Sequence, residues 1–517
     1  MPQMSMIWPW SSQACAISDT ETCHGHRACI SPLALISILL ALLLFSPLFF
    51  SPASAGHISS GQDIQAAIDS AQEGEIISVG AGSYSSIIID RPLSLIGEGR
   101  PVLNAALQKP AVTVKSNGVT LEGFEICGVE KDPASKFEYY MKNREAARGQ
   151  RLDVPNAAVM VEGSDFLLLN SSIYRAQAGV YALDADGITI KDCILDGCDT
   201  GLFLHGGRGL NVSGCSIINC RKFGLDIECS GDTAVKNCSI INNSNVGILF
   251  REGEGADVDD NLISGCTFGL SLWNASHNQV RRNRVDHNYY GILVTNWSCY
   301  NNITDNLLID NSRGEITAGF GIGLSLQENS SHNLVVGNVA RGNYNGLEIS
   351  KGCQYNAAYA NNASGNKHGI RMNENRNNLI FGNSFLNNNI NAYENLSRNV
   401  WNTTIGNCYS DYQGEDENGD GIGEQPYSIP GPQSRSIDHM PLLRPFGKDE
   451  ERMGAAELQD LVRGYATLPD EEEAEPAAQL EKGIMVISSP RPRLPPQWGE
   501  FEPLDVSRSP FQGENYF

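Results

Sequence analysis

Residues 179–372 repeat one phrase: GVYA at Gly179, GLFL at Gly201, GLDI at Gly224, GILF at Gly247, GLSL at Gly269, GILV at Gly291, GLSL at Gly323, GLEI at Gly346 and GIRM at Gly369. Each instance is Gly-apolar-x-apolar, and most steps between the glycines are 22 or 23 residues. The longer step from Gly291 to Gly323 reads as a loop inserted around residues 313–318. A second alternating segment follows each phrase, as in ITIKDCILDGC, LNVSGCSIINC and QVRRNRVDHN. Alternation with period two marks strands, and a beat this short leaves no room for helices between them. Three short strands in about 22 residues is the pattern of a parallel β-helix.

Two polar columns keep the same beat. One is Cys193, Cys215, Cys238, Asn261, Asn283, Asn306, Asn338, Asn361 and Asn383. The other, five residues later, is Cys198, Cys220, Asn243, Cys266, Asn288, Asn311, Asn343, Asn366 and Asn388. Residues one rung apart stack about 4.8 Å apart, so a stacked Asn amide can reach the next rung's carbonyl and satisfy a tight turn. Cys replaces it as a small near-hydrophobe that forgoes those hydrogen bonds. The columns read as structural. Stacked disulfides fit by distance, but parallel side-chain vectors give poor geometry.

Counting from each glycine, the first and third residues point inward and the second and fourth outward. The outward strip is Tyr181/Leu183, Phe203/His205, Asp226/Glu228, Leu249/Arg251, Ser271/Trp273, Leu293/Thr295, Ser325/Gln327, Glu348/Ser350 and Arg371/Asn373. Sugar rings stack on aromatic faces, and their hydroxyls bond to carboxylates and guanidinium groups. Tyr181, Phe203 and Trp273, with Glu348 and Arg371, are therefore the candidate carbohydrate contacts, since exposed aromatics on a strip are costly unless covered. Asp226 and Glu228 share one face, with His205 one rung before and Arg251 one rung after. Mutual repulsion would raise one carboxyl pKa while Arg251 holds its partner ionised, a setting for proton abstraction or glycosidic acid–base work. The same four residues also fit a solvated acidic patch balanced by an arginine.

The chain has 517 residues with Lys+Arg 37 against Asp+Glu 60, a formal charge of −23. That balance excludes the basic face a nucleic-acid partner requires. Residues 28–50 form an uncharged apolar run after Arg27, followed by Ala53-Ser54-Ala55. This is the pattern of an export leader with a small-x-small cleavage site, and the run is long enough to serve instead as a membrane anchor. Any membrane contact is expected only there. Cleavage after Ala55 leaves eleven cysteines, an odd number, so at least one is unpaired in an exported protein. Sequons at Asn170, Asn211, Asn237, Asn242, Asn274, Asn296, Asn302, Asn329, Asn362, Asn395 and Asn402 permit a glycosylated surface protein.

Three domains follow: a signal peptide or signal anchor over 1–55, the solenoid over 56–446, and an acidic, Pro-rich, mostly disordered tail over 447–517. Residues 130–155 interrupt the beat as a charged, aromatic insertion, helical from Lys136 to Arg148. It either walls one side of a groove or is a tolerated loop. The tail holds room for a short helix over Ala455–Tyr465. Residues 408–446 form an Asp/Gly-rich cap, where Asp416, Asn418, Asp420 and Glu424 take the spacing of a Ca²⁺ loop with Gly421 at its sixth position. The twelfth position holds Tyr427 instead of an acid, so the set reads as a structural Ca²⁺ site completed by Asp411 or Asp438, or as an Asx-rich turn.

The opening SGQDIQAAIDSAQEGEIISVGAGSY with LSLIGEGRPVL, the repeat itself, and SDYQGEDENGDGIGEQPYSIPG with SIDHMPL together resemble the NosD-like, carbohydrate-binding and sugar-hydrolysis (CASH) group of right-handed parallel β-helix proteins. This pectin-lyase-like resemblance covers roughly residues 57–446, and its last segment looks like one common in archaeal surface proteins. It implies an all-β right-handed solenoid with a cap helix over Asp63–Ala71, closing an end that would otherwise expose apolar side chains and strand edges. It implies function only broadly, because the fold hosts lyases, hydrolases, epimerases and adhesins. The Asp-Pro-His-Asp motif of alginate epimerases is absent. The group also implies copper-enzyme maturation. Against copper handling, His57, His205, His277, His287, His332, His368 and His439 are scattered, and there is no Met-x-x-Met. The expectation is an exported protein at the cell surface or in a periplasm-like space that binds polysaccharide or glycan. A lyase, hydrolase or epimerase, a copper accessory factor, and a structural surface-layer protein with protein partners are the alternatives.

Overall fold

A computed structural model describes residues 56–105, 110–128, 157–312, 321–446 and 452–466. The chain divides into residues 1–52 and 53–517, and every described residue belongs to the second unit. The expected insertion helix over Lys136–Arg148, the loop around 313–318 and the leader lie outside the described residues.

The solenoid is built from three parallel sheets of 15, 13 and 14 strands. One coil runs from Ala178–Leu183 in the 13-stranded sheet, through Thr189–Lys191 in the 15-stranded sheet and Ile194–Asp196 in the 14-stranded sheet, to Thr200–His205 back in the first. The register is held rung after rung: Val180, Leu202, Leu225, Ile248, Leu270, Ile292, Leu324, Leu347, Ile370 and Ala392 pair in sequence. All are buried and belong to one continuous core. A one-residue slip would turn every such side chain to the outer face, which is why the hydrophobic beat fixes the coil. The phrase glycine has a steric cause. A Cβ on Gly201 would sit 2.6 Å from the carbonyl oxygen of Gly224 one rung on, and on Gly224 it would sit 2.5 Å from that of Gly247.

The Asn columns are as read, with their bonding now explicit. Asn261 Oδ1 accepts from the Cys238 N–H at 2.9 Å, and its Nδ2 donates to the Val235 carbonyl at 2.8 Å and to Asn283 Oδ1 at 2.9 Å. The chain of amides continues through Asn306, Asn338, Asn361, Asn383 and Asn407. Ladder cysteines keep part of this role, a correction to the expectation that they forgo hydrogen bonds. The Cys215 thiol donates to the Ile190 carbonyl of the preceding rung at 3.4 Å, the counterpart of the carbonyl an Asn would reach. Burial pushes the Cys198 thiol up to about 12. All eleven described cysteines are free, so the stacked positions carry no disulfide among the described residues. A third column escaped the sequence reading: Asn278, Asn301, Asn333, Asn356, Asn378 and Asn399 join amide to amide in the same way.

Both ends are closed. Helix α1, Ile64–Ser70, begins where the Asp63 carboxylate accepts the Gln65 N–H, and it buries Ile64 and Ile68 against the first rung. At the other end Asp438, fully buried, accepts the Asn407 N–H at 2.7 Å and the Tyr409 hydroxyl at 3.0 Å, finishing the first Asn column with a carboxylate. Helix α2, Ala455–Ala466, lies on the outer face of the 15-stranded sheet. Its Leu458 and Val462 pack among Val336, Tyr359 and Phe381, and Gln459 Nε2 donates to the His332 carbonyl at 2.7 Å. The tail therefore starts as a docked helix.

Candidate functional site: the outer face of the 13-stranded sheet

The strip exists, and its rungs are in register. Tyr181, Phe203, Asp226, Leu249, Ser271, Leu293, Ser325, Glu348, Arg371 and Tyr393 form one column. Leu183, His205, Glu228, Arg251, Trp273 and Thr295 form the next. Period-two counting places the residue before each glycine inside. The chain bends at the glycine, and that residue joins the outer face instead: Phe223, Val246 and Phe268 cluster there with Leu249, outside the main core. This added column brings Tyr290, Asn345 and His368 to the strip. The signal lay in the sequence, in the residue preceding each repeat glycine.

Three expected exposures are corrected. Tyr181 and Phe203 were expected as open ligand contacts, but they are 1% and 0% exposed. Their rings stack 5.3 Å apart and nearly parallel, among Ala157, Ala178, Met160 and Leu183. Two aromatic rings one rung apart shield each other and become a satellite core. Asp226 is also fully buried. Arg251 reaches diagonally across and forms an ion pair with it. Glu228 lies instead beside His205, whose Nδ1 is 3.6 Å from Glu228 Oε2. The four candidate catalytic residues are thus brought together as a deeply buried Asp226–Arg251 ion pair and a half-buried His205–Glu228 contact. A carboxylate held by a buried guanidinium is an acceptor already occupied, and removing one partner would strand the other's charge.

The second half of the strip is more open. The rings of Phe268 and Tyr290 stack 5.1 Å apart, each half-buried, and Trp273 at the far end of the same strand is half-buried too. Burial pushes the Tyr290 hydroxyl up to about 12, with Glu348 and Tyr289 adding to it. Glu348 is enclosed by donors: Asn345 Nδ2 at 2.6 Å, Gln327 Nε2 at 3.4 Å, and Arg371 Nη1 at 3.4 Å. Arg371 is itself half-buried, and Tyr393 follows it in the column. His368 sits beside Asn345 at 2.8 Å. Burial, then the charges of Arg371 and Lys367, lower its pKa to about 4, so the imidazole is neutral at ordinary pH. Lys367 lies over the Tyr344 ring at 4.5 Å. Aromatic faces, a neutral imidazole, amides and one guanidinium on a flat sheet give stacking and hydrogen bonding without a buried unpaired charge.

In the cap, Asp416 turns its carboxylate onto its own loop. It accepts from Gly419 N at 2.6 Å and Gly421 N at 2.9 Å, while Asp420 Oδ1 accepts from Ile422 N at 2.8 Å. Asn418 accepts from Asp420 N at 2.9 Å. These are Asx turns, and Gly419 and Gly421 supply their left-handed backbone at φ 77° and 86°. Asp416, Asp420 and Glu424 do not converge as a three-carboxylate cluster. Among the described residues, the group that brings three metal-type ligand atoms within 4.8 Å of one another is His205, Glu228 and Cys229.

The geometry defines a class, the right-handed parallel β-helix, and comparison agrees. The model of the right-handed beta helix region matches residues 150–276, 178–326 and 247–363. A cell surface glycoprotein of Methanothermus fervidus is 28% identical over 369 residues, covering 67% of this chain and 50% of that protein. The chain thus spans half the length of the curated relative it matches. Among solved structures, the Dettilon tailspike protein aligns with a TM-score of 0.47 at 14% identity, over 58% of this chain and 62% of its own. A family 28 exopolygalacturonase of Yersinia enterocolitica aligns with a TM-score of 0.46 at 10% identity, over 67% of this chain and 78% of its own. Among the described residues, no helix is long and apolar enough to cross a membrane.

Proposed function

We propose that this chain is a cell-surface β-helix that binds polysaccharide or glycan along the outer face of its 13-stranded sheet, between Phe268 and Tyr393. The observation that carries this reading is the half-exposed Phe268–Tyr290 stack on the same sheet face as the Glu348–Arg371 pair and Tyr393, one column over. A sugar ring stacks on the aromatic faces while its hydroxyls meet Arg371, Gln327 and the neutral His368.

Two observations support the surface placement. The relative from Methanothermus fervidus is named a cell surface glycoprotein. The sequon asparagines also separate from the ladder asparagines. Asn170, Asn211, Asn237, Asn242 and Asn274 are exposed and the other six half-buried, while the Asn of the inner columns are mostly buried.

The test is a glycan and polysaccharide array probed with the full chain, read beside ultraviolet absorbance of unsaturated lyase products. Binding that weakens in Tyr290→Ala and Arg371→Ala, with no product, supports a binding module. Product formation would make it an enzyme, and a blank array on folded protein would sink the carbohydrate reading.

A further inference from the structure

We propose that His205, Glu228 and Cys229 form a zinc site on the rim of the solenoid, a binding site separate from the glycan face between Phe268 and Tyr393. The three ligand atoms all lie within 4.8 Å of one another. The fold brings them together in a specific way. His205 and Glu228 are register partners on adjacent rungs, at the last positions of Thr200–His205 and Phe223–Glu228. Cys229 is the next residue, where the chain leaves the sheet with φ 52°. That left-handed conformation swings its side chain out of the strand alternation. One rung on, Glu252 takes the same conformation at φ 52°, and the Cys229 thiol lies 3.7 Å from its Oε2.

The donor set selects the ion. Imidazole nitrogen with thiolate sulfur suits zinc, whereas Ca²⁺ and Mg²⁺ take oxygen ligands. Three protein ligands leave a fourth position for Glu252 or water, the pattern of an open site. Charge agrees: Glu228, Glu252 and a Cys229 thiolate are anionic together. The nearby Arg251 is engaged by Asp226, and Arg208 by Asp232 at 2.9 Å. A dication would offset most of that local excess. Access is provided too, since Cys229 is exposed and lines, with Glu252, Glu254 and Arg208, an open groove of about 420 Å³. Cys229 also differs from the ladder cysteines, such as Cys198 and Cys220, which are buried.

The experiment uses the full chain, stripped by chelator and dialysed against zinc alone, with metal content measured by mass spectrometry. Alkylation of cysteines is then followed peptide by peptide with and without zinc. The proposal predicts that zinc protects Cys229 from alkylation while Cys299, half-buried and distant in register, reacts at an unchanged rate. It further predicts that Cys229→Ser and His205→Ala each weaken zinc binding by about tenfold or more. Cobalt in place of zinc should give a thiolate charge-transfer band that Cys229→Ser abolishes. Cys229 is exposed, so its serine variant keeps the fold, and circular dichroism checks this. Unchanged zinc affinity in both variants, or calcium displacing zinc at equal concentration, would overturn the site. So would a full chain that holds no zinc. None of these readouts depends on glycan binding.

Discussion

At the residue scale, the fold rests on a repeated amide. Most inner Asn side chains accept a backbone N–H and donate to two acceptors, so removing one strands groups on two rungs. Asn306 accepts from Asn283 N at 3.0 Å and donates to the Val280 carbonyl at 2.9 Å and to Asn338 Oδ1 at 3.0 Å. Each stranded buried group costs about 1–3 kcal/mol, so Asn306→Ala should lower the denaturation midpoint clearly, while alanine at exposed Asn211 should leave it unmoved. Two of the three Asn columns were legible as a sequence beat. The third keeps the same beat five residues ahead of the first, but only from Asn278 on; Leu210, Thr233 and Ala256 hold that position in the earlier coils, so no asparagine column shows there. Tyr181 shows a different limit. Its outward direction was readable from alternation, but its burial was not, because exposure depends on what packs over the face. Tyr181→Ala should therefore act as a core truncation of about 3–5 kcal/mol and leave glycan affinity of the folded protein unaltered. Tyr290→Ala should do the reverse.

At the element scale, the strip and the cap titrate in opposite senses. The His368 pKa is lowered from 6.5 to about 4, so the unfolded chain takes up the proton first. The stability this neutral imidazole contributes is complete above 6.5 and is lost as pH falls through about 4. His368→Gln should flatten that part of the pH–stability profile. Asp438 and Glu394 behave the other way, because burial above all raises both from ordinary values of 3.8 and 4.5. Their contribution is complete below those values and is lost as pH rises through the raised ones. Hydrogen exchange corrected for intrinsic rates should therefore find the Asn407 and Met440 amides better protected at mildly acidic pH than at neutral pH. The cap helix α1 was legible from Asp63 and the spacing of Ile64 and Ile68. Helix α2 was legible as a helix, but its docking on Tyr359 and Phe381 was not, since nothing local in Leu458 or Val462 names the sheet that receives them. Leu458→Asp should detach it and raise proteolysis after Phe446 without changing the solenoid's dichroism.

At the scale of the whole molecule, a solenoid repeats its core and varies its face. The repeat made the fold legible, because every coil answers the same steric demand at its glycine, its inward apolar pair and its turn amide. The face is what the repeat leaves free, so function is written in positions where the pattern says only that a side chain points out. That freedom gave candidates such as Asp226 and Arg251, which the structure joins to each other, and it hid the column that begins each phrase, where Phe268, Tyr290 and His368 stand. The most direct test of the central claim measures binding of the full chain to an arrayed polysaccharide set against its folded Tyr290→Ala/Arg371→Ala variant. The account predicts retention of one glycan class by the parent and a loss of about tenfold or more in the variant, as expected when a stacking ring and a charged hydrogen bond are both removed. Equal binding by both, or none by a correctly folded parent, would contradict it.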